Sequence, residues 1–503
     1  MKDKTTTIYK NAILNKATDV LQIFIKYIIV IISMVFLGFI FLQSFFGSTF
    51  LDFCESSFFI EKPFWSTVLI VLIPILIAII VKIILQKYSI SIVTPNYIFL
   101  GIVTVVYTIL MIMFVYKTGI PAMDDQELIL NAANDLLNNV PDMWDKGAYC
   151  YRFPNQNGFV LFVALGLKMF GTDNQMVFQY LNIPMLILSS FFLSKTIYLL
   201  FNDKKLARYS YILLLGFFQL NCYVTFVYGT LYGLAASVAG IFLLIKYFKK
   251  RNIVNGLVGI SLLSIGYGFK SNYLIMIVAT CLLLLFDAIV KKSLKSVISL
   301  VWGIVFYVVV VTSISSTIYH LTGKKVDEGT PNTAWVAMGL QESYKAPGWW
   351  NGYNAKVFAD NEYDIPKTKE AISQNISERV GELKKDKEYT LSFFSKKTAS
   401  QWNEGTFECF YITNLDRGRL SNPTWTDSVK NLMVDGHSAN RAVTTICNYF
   451  IVFLWLGIIL FLIFDFRKLD AYKLIFAITF IGGFLFHFVW EAKGQYTIIY
   501  AYL

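Results

Sequence analysis

The sequence predicts an all-α polytopic membrane protein of about 11–12 transmembrane helices, with a small α-rich domain in a late exterior loop. Three observations carry this. Of 503 residues, 56% are hydrophobic and 15% charged, against about 25% charged in soluble domains; the mean hydropathy is +0.56. Apolar runs long enough to cross a bilayer recur along the chain. Basic residues gather in every second short connection, which is the topology signal of multi-pass proteins.

Taken in order, the polar start, Met1 to Lys16, carries Lys2, Lys4, Lys10 and Lys16. The run behind it is longer than a signal-peptide core and lacks a small-residue cleavage site, so it reads as a retained first span. Candidate spans are Leu21–Phe46, Trp65–Leu85, Ile98–Tyr116, Met176–Phe201, Tyr209–Tyr223, Thr225–Tyr247, Val254–Phe269, Asn272–Val290, Val297–Ile318, Val443–Phe464 and Tyr472–Trp490. A further apolar stretch begins at Gln495, and the sequence ends at Leu503, too soon for it to cross. The chain thus divides into N-terminal helices (1–116), a first large exterior loop with an acidic motif and interfacial helices (117–175), central helices (176–318), an exterior soluble domain (319–442) and C-terminal helices (443–503).

Charge sets the orientation. With the N-terminus in the cytoplasm, inside loops carry Lys82 and Lys87, then Lys204, Lys205 and Arg208, then Lys246 to Arg251, then Lys291, Lys292 and Lys295, then Arg467, Lys468 and Lys473. Outside segments carry Asp52, Glu55, Glu61 and the stretch Asp124–Arg152. The expectation is a multi-pass cell-membrane protein whose acidic motif lies on the outer face.

Within the first exterior loop, Asp124 and Asp125 precede an amphipathic helix marked by Leu128, Ile129, Ala132, Ala133, Leu136 and Leu137. Either acid is a natural helix cap, and the pair is equally a candidate for acid/base chemistry. After a linker come Tyr151-Arg-Phe-Pro-Asn-Gln-Asn-Gly158 and a short interfacial helix, Phe159–Phe170, ended by Gly171. The late exterior segment holds a Trp-rich stretch, Ala346 to Asn354, and helical patterns at Lys367–Leu383 and Phe393–Trp402. Six cysteines show no metal-ligand spacing; Cys150 and Cys409, both in outward segments, are the pair placed for a disulfide.

Several chemistries are excluded. The net charge of +11 is spent in membrane-flanking loops, so nucleic acid is no partner. No phosphate-binding loop, dinucleotide fingerprint, zinc-protease motif or nucleophile elbow is present. With only three histidines, a histidine metal site is not expected, and carboxylate acid/base chemistry remains.

The order of these motifs resembles the GT-C superfamily of polytopic glycosyltransferases, in the style of bacterial family 39-like members that use a polyprenyl-phosphate sugar. Asp124-Asp125 is similar to that family's first-loop acidic motif, Tyr151–Gly158 to its Tyr/Pro/Gly segment, and Glu491-Ala-Lys-Gly-Gln-Tyr496 to its late Glu-x-x-x-Arg-Tyr segment. This chain departs from the pattern in two ways: the acidic loop follows the third span rather than the first, and Gln495 stands where many members have Arg. The resemblance implies transfer of a sugar from a polyprenyl-phosphate carrier to an exterior acceptor: a cell-wall or surface glycan, teichoic acid or protein. Asp124 or Asp125 would be the base, with Asp124 preferred. Lys493, Arg152, Lys270, Gln495 and Tyr496 would hold the donor phosphate, and Trp349, Trp350, Tyr353 and Asn155 would face sugar or acceptor. No cofactor or metal is implied. Implied partners are the bilayer, the lipid-linked sugar, its acceptor, and a membrane synthase and flippase that supply the donor. The alternative is a transporter or flippase of lipid-linked glycans, which should carry charge in mid-membrane.

Overall fold

The first helix, α1 (Lys2–Phe46), is spanning over Val20–Phe46 and leads straight into a β-hairpin, β1 (Gly47–Leu51) and β2 (Ser57–Glu61). A computed structural model describes residues 2–503 except 53, 89–93, 173–174, 327, 414–424, 467–468 and 471, with backbone alone for 2–19. Arg467 and Lys468, and the side chains of Lys2, Lys4, Lys10 and Lys16, therefore lie outside the described residues.

Helices α2 (Phe64–Lys87) and α3 (Tyr97–Thr118) form a second and third span. Most of their apolar side chains face outward, as lipid-facing helices require. The chain then stays on one face for α4 (Asp125–Asn138), α5 (Tyr149–Arg152) and α6 (Asn157–Phe170) before α7 (Met176–Phe201) returns. Helices α4 and α6 pack together around Ile129, Ala132, Ala133, Phe159, Val160 and Val163, all fully buried.

The stretch expected to span at Tyr209–Tyr223 is not one helix. It is α8 (Lys204–Leu215), a break at Gly216 and Phe217, and the short α9 (Phe218–Cys222). Asn221 donates to the Leu215 carbonyl at 2.9 Å, so the break leaves that acceptor satisfied, as an apolar setting demands. The central helices follow: α10 (Thr230–Lys250), α11 (Ile253–Phe269), α12 (Leu274–Val290) and α13 (Leu294–Thr322). Gly240 and Gly259 let α10 and α11 touch closely; a Cβ on Gly240 would sit 2.6 Å from the Gly259 carbonyl oxygen.

The late segment between the spans is mostly helical among the described residues: α14 (Thr333–Gly339), α15 (Tyr353–Asp360), α16 (Ile365–Lys385), α17 (Lys387–Trp402), α18 (Cys409–Thr413) and α19 (Asp427–Met433). It starts and ends a few residues inside 319–442, because α13 runs on to Thr322 and α20 (Ser438–Asp465) starts at Ser438. Then α21 (Ile475–Val489) and α22 (Gly494–Tyr502) complete the bundle. Eight helices among the described residues are long and apolar enough to cross a membrane, and α11 and α21 are shorter apolar helices. The broken α8–α9 segment also joins the far end of α7 to the near end of α10. The roughly 11 apolar stretches read from the sequence thus correspond to eight full-length helices, two shorter ones and the broken α8–α9 segment among the described residues. Helix α22 folds back into the bundle, with Tyr502 and Ser190 hydroxyls 2.7 Å apart.

Cys150 and Cys409 do not pair. All six cysteines are free, and these two sit in separate apolar clusters.

Candidate functional site

A chamber of about 1150 Å³ opens where the first loop, the α11–α12 turn, the soluble helices and the α21–α22 turn meet. Its lining includes Asp124, Asp125, Arg152, Asn155, Lys270, Trp350, Lys493, Gln495 and Tyr496. Nine residues picked from four distant stretches of sequence thus face one space.

Glycine makes the convergence geometrically possible. A Cβ on Gly158 would lie 2.0 Å from the Gly268 carbonyl oxygen, and one on Gly229 would lie 1.9 Å from that of Phe269. The end of α11 can therefore press against both loops only where side chains are absent. That contact carries Lys270 into the chamber beside the Tyr151–Gly158 turn.

The two acids differ. Asp124 holds the N-cap position of α4 without any side-chain capping bond, so the capping role is not realised. Its backbone sits at φ 52°, a strained conformation for a residue with a Cβ. Asp125, in the first turn of α4, accepts a long hydrogen bond from the Tyr228 hydroxyl at 3.4 Å. Tyr228 in turn accepts from the Gln156 amide. Asp125 is open to the chamber but enclosed by protein elsewhere. Burial holds its carboxyl above the ordinary range, only partly offset by Lys493 and Lys270.

The cations are held in different ways. Lys270 is 8% exposed, donates to the Thr230 hydroxyl at 3.1 Å, and lies 4.2 Å and 5.5 Å from the Tyr228 and Tyr496 ring centres. Burial pushes its ammonium down to about 7, against the pull of Asp125. Lys493 donates to Glu55 at 2.7 Å. Burial alone would lower Lys493, yet Glu408, Tyr496 and Glu491 around it hold it above its ordinary value. Glu55 also binds Lys345. Arg152 packs over the Phe153 ring at 5.1 Å, and its Nε has no partner. Two acceptors beside Lys493 are likewise buried without a donor, Glu408 Oε2 and Gln495 Oε1. Such atoms are rare in a finished interior.

Two expected sugar-facing residues lie elsewhere. Trp349 is fully buried, donates to Ser400 at 2.7 Å, and packs with Ala346, Ala492 and Leu51 where the late segment, the α21–α22 turn and the hairpin meet. Tyr353 packs against α16 and accepts from Asn375 at 2.7 Å. An indole next to small residues (here Ala346 and Ala492) is core material, and only the tertiary packing reveals which of two adjacent tryptophans points inward. The aromatic wall of the chamber is instead Trp350, Trp335 and Trp490, the last two stacked at 5.9 Å and 4°.

Sequence reasoning missed Glu55, Tyr228, Gln156, Lys345, Trp335 and Glu408. Glu55 had a signal: with Asp52 it is one of two acids in the short turn between two β-like runs, Gly47–Leu51 and Ser57–Glu61. The hairpin is anchored on the soluble domain by Thr49 to the Asn403 carbonyl at 3.2 Å and Ser57 to the Lys345 carbonyl at 2.8 Å. The late segment is anchored too. The buried Lys397 donates to the carbonyls of Gly339 and Trp490, and Ala492 N–H to that of Gly348 at 2.8 Å.

Below the polar residues the chamber continues as an apolar slot between α12, α13 and α21, lined by Leu274, Val278, Leu282, Ile314, Ile478 and Phe486. The fold and the chamber define a class: an all-α, multi-pass membrane protein with a polar recess joined to an apolar slot among its spans. The chain belongs to a family of conserved hypothetical integral membrane proteins, whose sequence model matches residues 24–501. No curated protein and no solved structure matches it.

Proposed function

We propose that the protein is a glycosyltransferase that moves a sugar from a polyprenyl-phosphate carrier to an acceptor at the outer membrane face. The observation carrying this reading is the joined geometry of chamber and slot. Five carboxylates (Glu55, Asp124, Asp125, Glu328 and Glu491), four cations (Arg152, Lys270, Lys345 and Lys493) and stacked indoles line the recess, and the recess opens into an apolar slot between spans. A lipid-linked sugar has that same division of polarity: a tail suited to the slot, a phosphate suited to cations, and a glycosyl ring whose C–H face suits indoles.

In this reading Asp125, rather than Asp124, accepts the acceptor hydroxyl's proton, because Asp125 is the acid bonded into the Gln156–Tyr228 chain. The acceptor oxygen forms a bond to the anomeric carbon. The bond from that carbon to the phosphate oxygen breaks, and its electron pair leaves on the phosphate. Lys493, Arg152 and Lys270 are the cations at hand for the charge that develops there. Glu55 fixes the Lys493 ammonium, leaving two of its three N–H donors for other acceptors.

The test is transfer from a synthetic polyprenyl-phosphate hexose by the purified protein. Asp125→Asn is expected to lower turnover by about 10²–10⁴-fold, the usual worth of acid/base catalysis, with donor binding retained. Full activity of that variant sinks the assignment of the base. Donor binding with no transfer by the wild-type protein to any envelope acceptor favours carrier movement over chemistry.

A further inference from the structure

We infer that a second groove, at the end of α3 and α7 remote from the chamber, binds the phosphate of an anionic phospholipid. The groove is about 320 Å³ and lies between α3, α7 and α8. Lys195, Lys204 and Arg208 line it with the rings of Tyr97 and Phe191. The Arg208 guanidinium lies 4.4 Å from the Tyr97 ring centre and donates to the Pro95 carbonyl at 2.8 Å. The Lys195 ammonium lies 5.2 Å from Phe191 and 5.8 Å from Tyr97. The aromatic faces hold two of the cations in place while leaving N–H donors for an anion.

Nothing acidic answers these charges. Among the described residues no carboxylate comes within ion-pair distance of Lys195, Lys204 or Arg208. Residues 89–93, which precede Pro95, are Ser-Ile-Ser-Ile-Val and carry no acid. Asp203 Oδ1 accepts from the N–H groups of Lys205 and Leu206, which turns that carboxylate to the start of α8, and it makes no ion pair with Lys195, Lys204 or Arg208. Three hydroxyls of the groove are committed as well: that of Ser194 donates to the Ala207 carbonyl at 2.6 Å, and those of Thr104 and Tyr211 meet at 2.8 Å. Three cations thus surround an opening in which the Ser194, Thr104 and Tyr211 hydroxyls are already bonded. The contrast is Arg251, also on this face, whose charge is met by Asp287.

The groove's surroundings select a lipid over a soluble phosphate. It opens along the outward face of α3, where Ile98, Ile102 and Val105 are exposed. Gly101 lines it, and a Cβ there would meet no atom within 4 Å. An acyl chain can lie in that gap with its headgroup among the cations, at the depth where basic side chains meet anionic headgroups. The inference is independent of the chamber's function.

Native mass spectrometry of the full chain in detergent, titrated with dioleoylphosphatidylglycerol, tests it. One lipid is expected to bind about tenfold or more tightly than dioleoylphosphatidylcholine, since two or more cations meet its net charge. Lys195→Gln with Arg208→Gln should weaken that binding by about tenfold or more. Gly101→Leu keeps every cation, projects into open space and so does not disturb the core; it should weaken binding on the order of fivefold by filling the gap. Binding within twofold of wild type in both variants overturns the inference. Competition by millimolar inorganic phosphate together with undiminished binding to Gly101→Leu overturns the lipid and makes the site one for a soluble phosphate.

Discussion

Asp125 and Asp287 are both carboxylates set into a membrane protein, at opposite faces, and their surroundings could hardly differ more. Asp287, 1% exposed, accepts from both terminal nitrogens of Arg251, from the Ser296 hydroxyl and from the Tyr472 hydroxyl at 2.9 Å. Every oxygen is used, and the ties join α12, α13 and the segments before α11 and α21. Asp125 accepts a long bond from Tyr228, at 3.4 Å, with the Tyr149 hydroxyl beside it, and shares its chamber with an orphaned Arg152 nitrogen and an orphaned Gln495 oxygen. Saturation marks a clamp whose energy goes into holding helices together. Unsaturated buried groups are costly, and persist where a ligand completes them.

Neutralising each acid gives the largest expected effects, of opposite kinds. Asp125→Asn is expected to abolish most sugar transfer and leave the melting temperature in detergent nearly unchanged. Asp287→Asn is expected to cost about 3 kcal/mol of stability, because Arg251 keeps a charge whose partner is gone, while turnover per folded molecule holds. Thermal unfolding followed by tryptophan fluorescence, alongside the transfer assay, separates the two. If Asp287→Asn removes activity without loss of stability, the division between clamp and site is wrong.

Adjacent tryptophans sharpen the same contrast. Trp349→Ala empties a fully buried site and should destabilise by about 3–5 kcal/mol. Trp350, 41% exposed and facing the chamber, should cost little stability as Ala but raise the KM for donor or acceptor several-fold.

The pH profile is the next test. Transfer should rise with pH as Asp125, held above the ordinary carboxylate range, loses its proton. It should fall again above about 7, where Lys270 becomes neutral and offers the donor phosphate no charge. Lys270→Arg keeps its charge throughout and should move the descending limb in kcat/KM to higher pH. An unmoved limb assigns it to another group.

The smallest effect concerns Asp124. Glycine tolerates φ 52°, so Asp124→Gly should gain up to about 1 kcal/mol of stability. Its loss of transfer should be slight beside that of Asp125→Asn; a larger loss restores Asp124 as the base.

Much of the fold was legible because bilayer crossing imposes length and apolarity one segment at a time. The spans at Met176–Phe201 and Val297–Ile318 fall inside helices α7 and α13 to within a few residues. The exception, Tyr209–Tyr223, is apolar enough to cross but contains Gly216 and the side chain of Asn221, which replaces a helical hydrogen bond. Hydropathy counts apolar residues and does not see where a backbone acceptor finds a substitute donor.

The site was legible unevenly. Asp124, Asp125, Arg152, Asn155, Lys270, Lys493, Gln495 and Tyr496, which stand out as polar residues at apolar boundaries or through the family resemblance, face one chamber. Trp349 and Tyr353 do not, and Glu55 and Tyr228 were passed over. An acid beside a span stands out in one dimension. A tyrosine among thirty, or one tryptophan of a pair, has no local mark.

By itself the sequence determined the class of molecule and the segments that supply charge, because transfer of apolar and charged groups between water and lipid is decided residue by residue. Only the tertiary structure decided which acid enters a hydrogen-bonded chain, which indole is core, and which cations are answered by carboxylates. Those outcomes depend on distances of a few ångströms between residues as far apart as Glu55 and Lys493, and coulombic and hydrogen-bond energies at that range are set by geometry that no single stretch of chain contains.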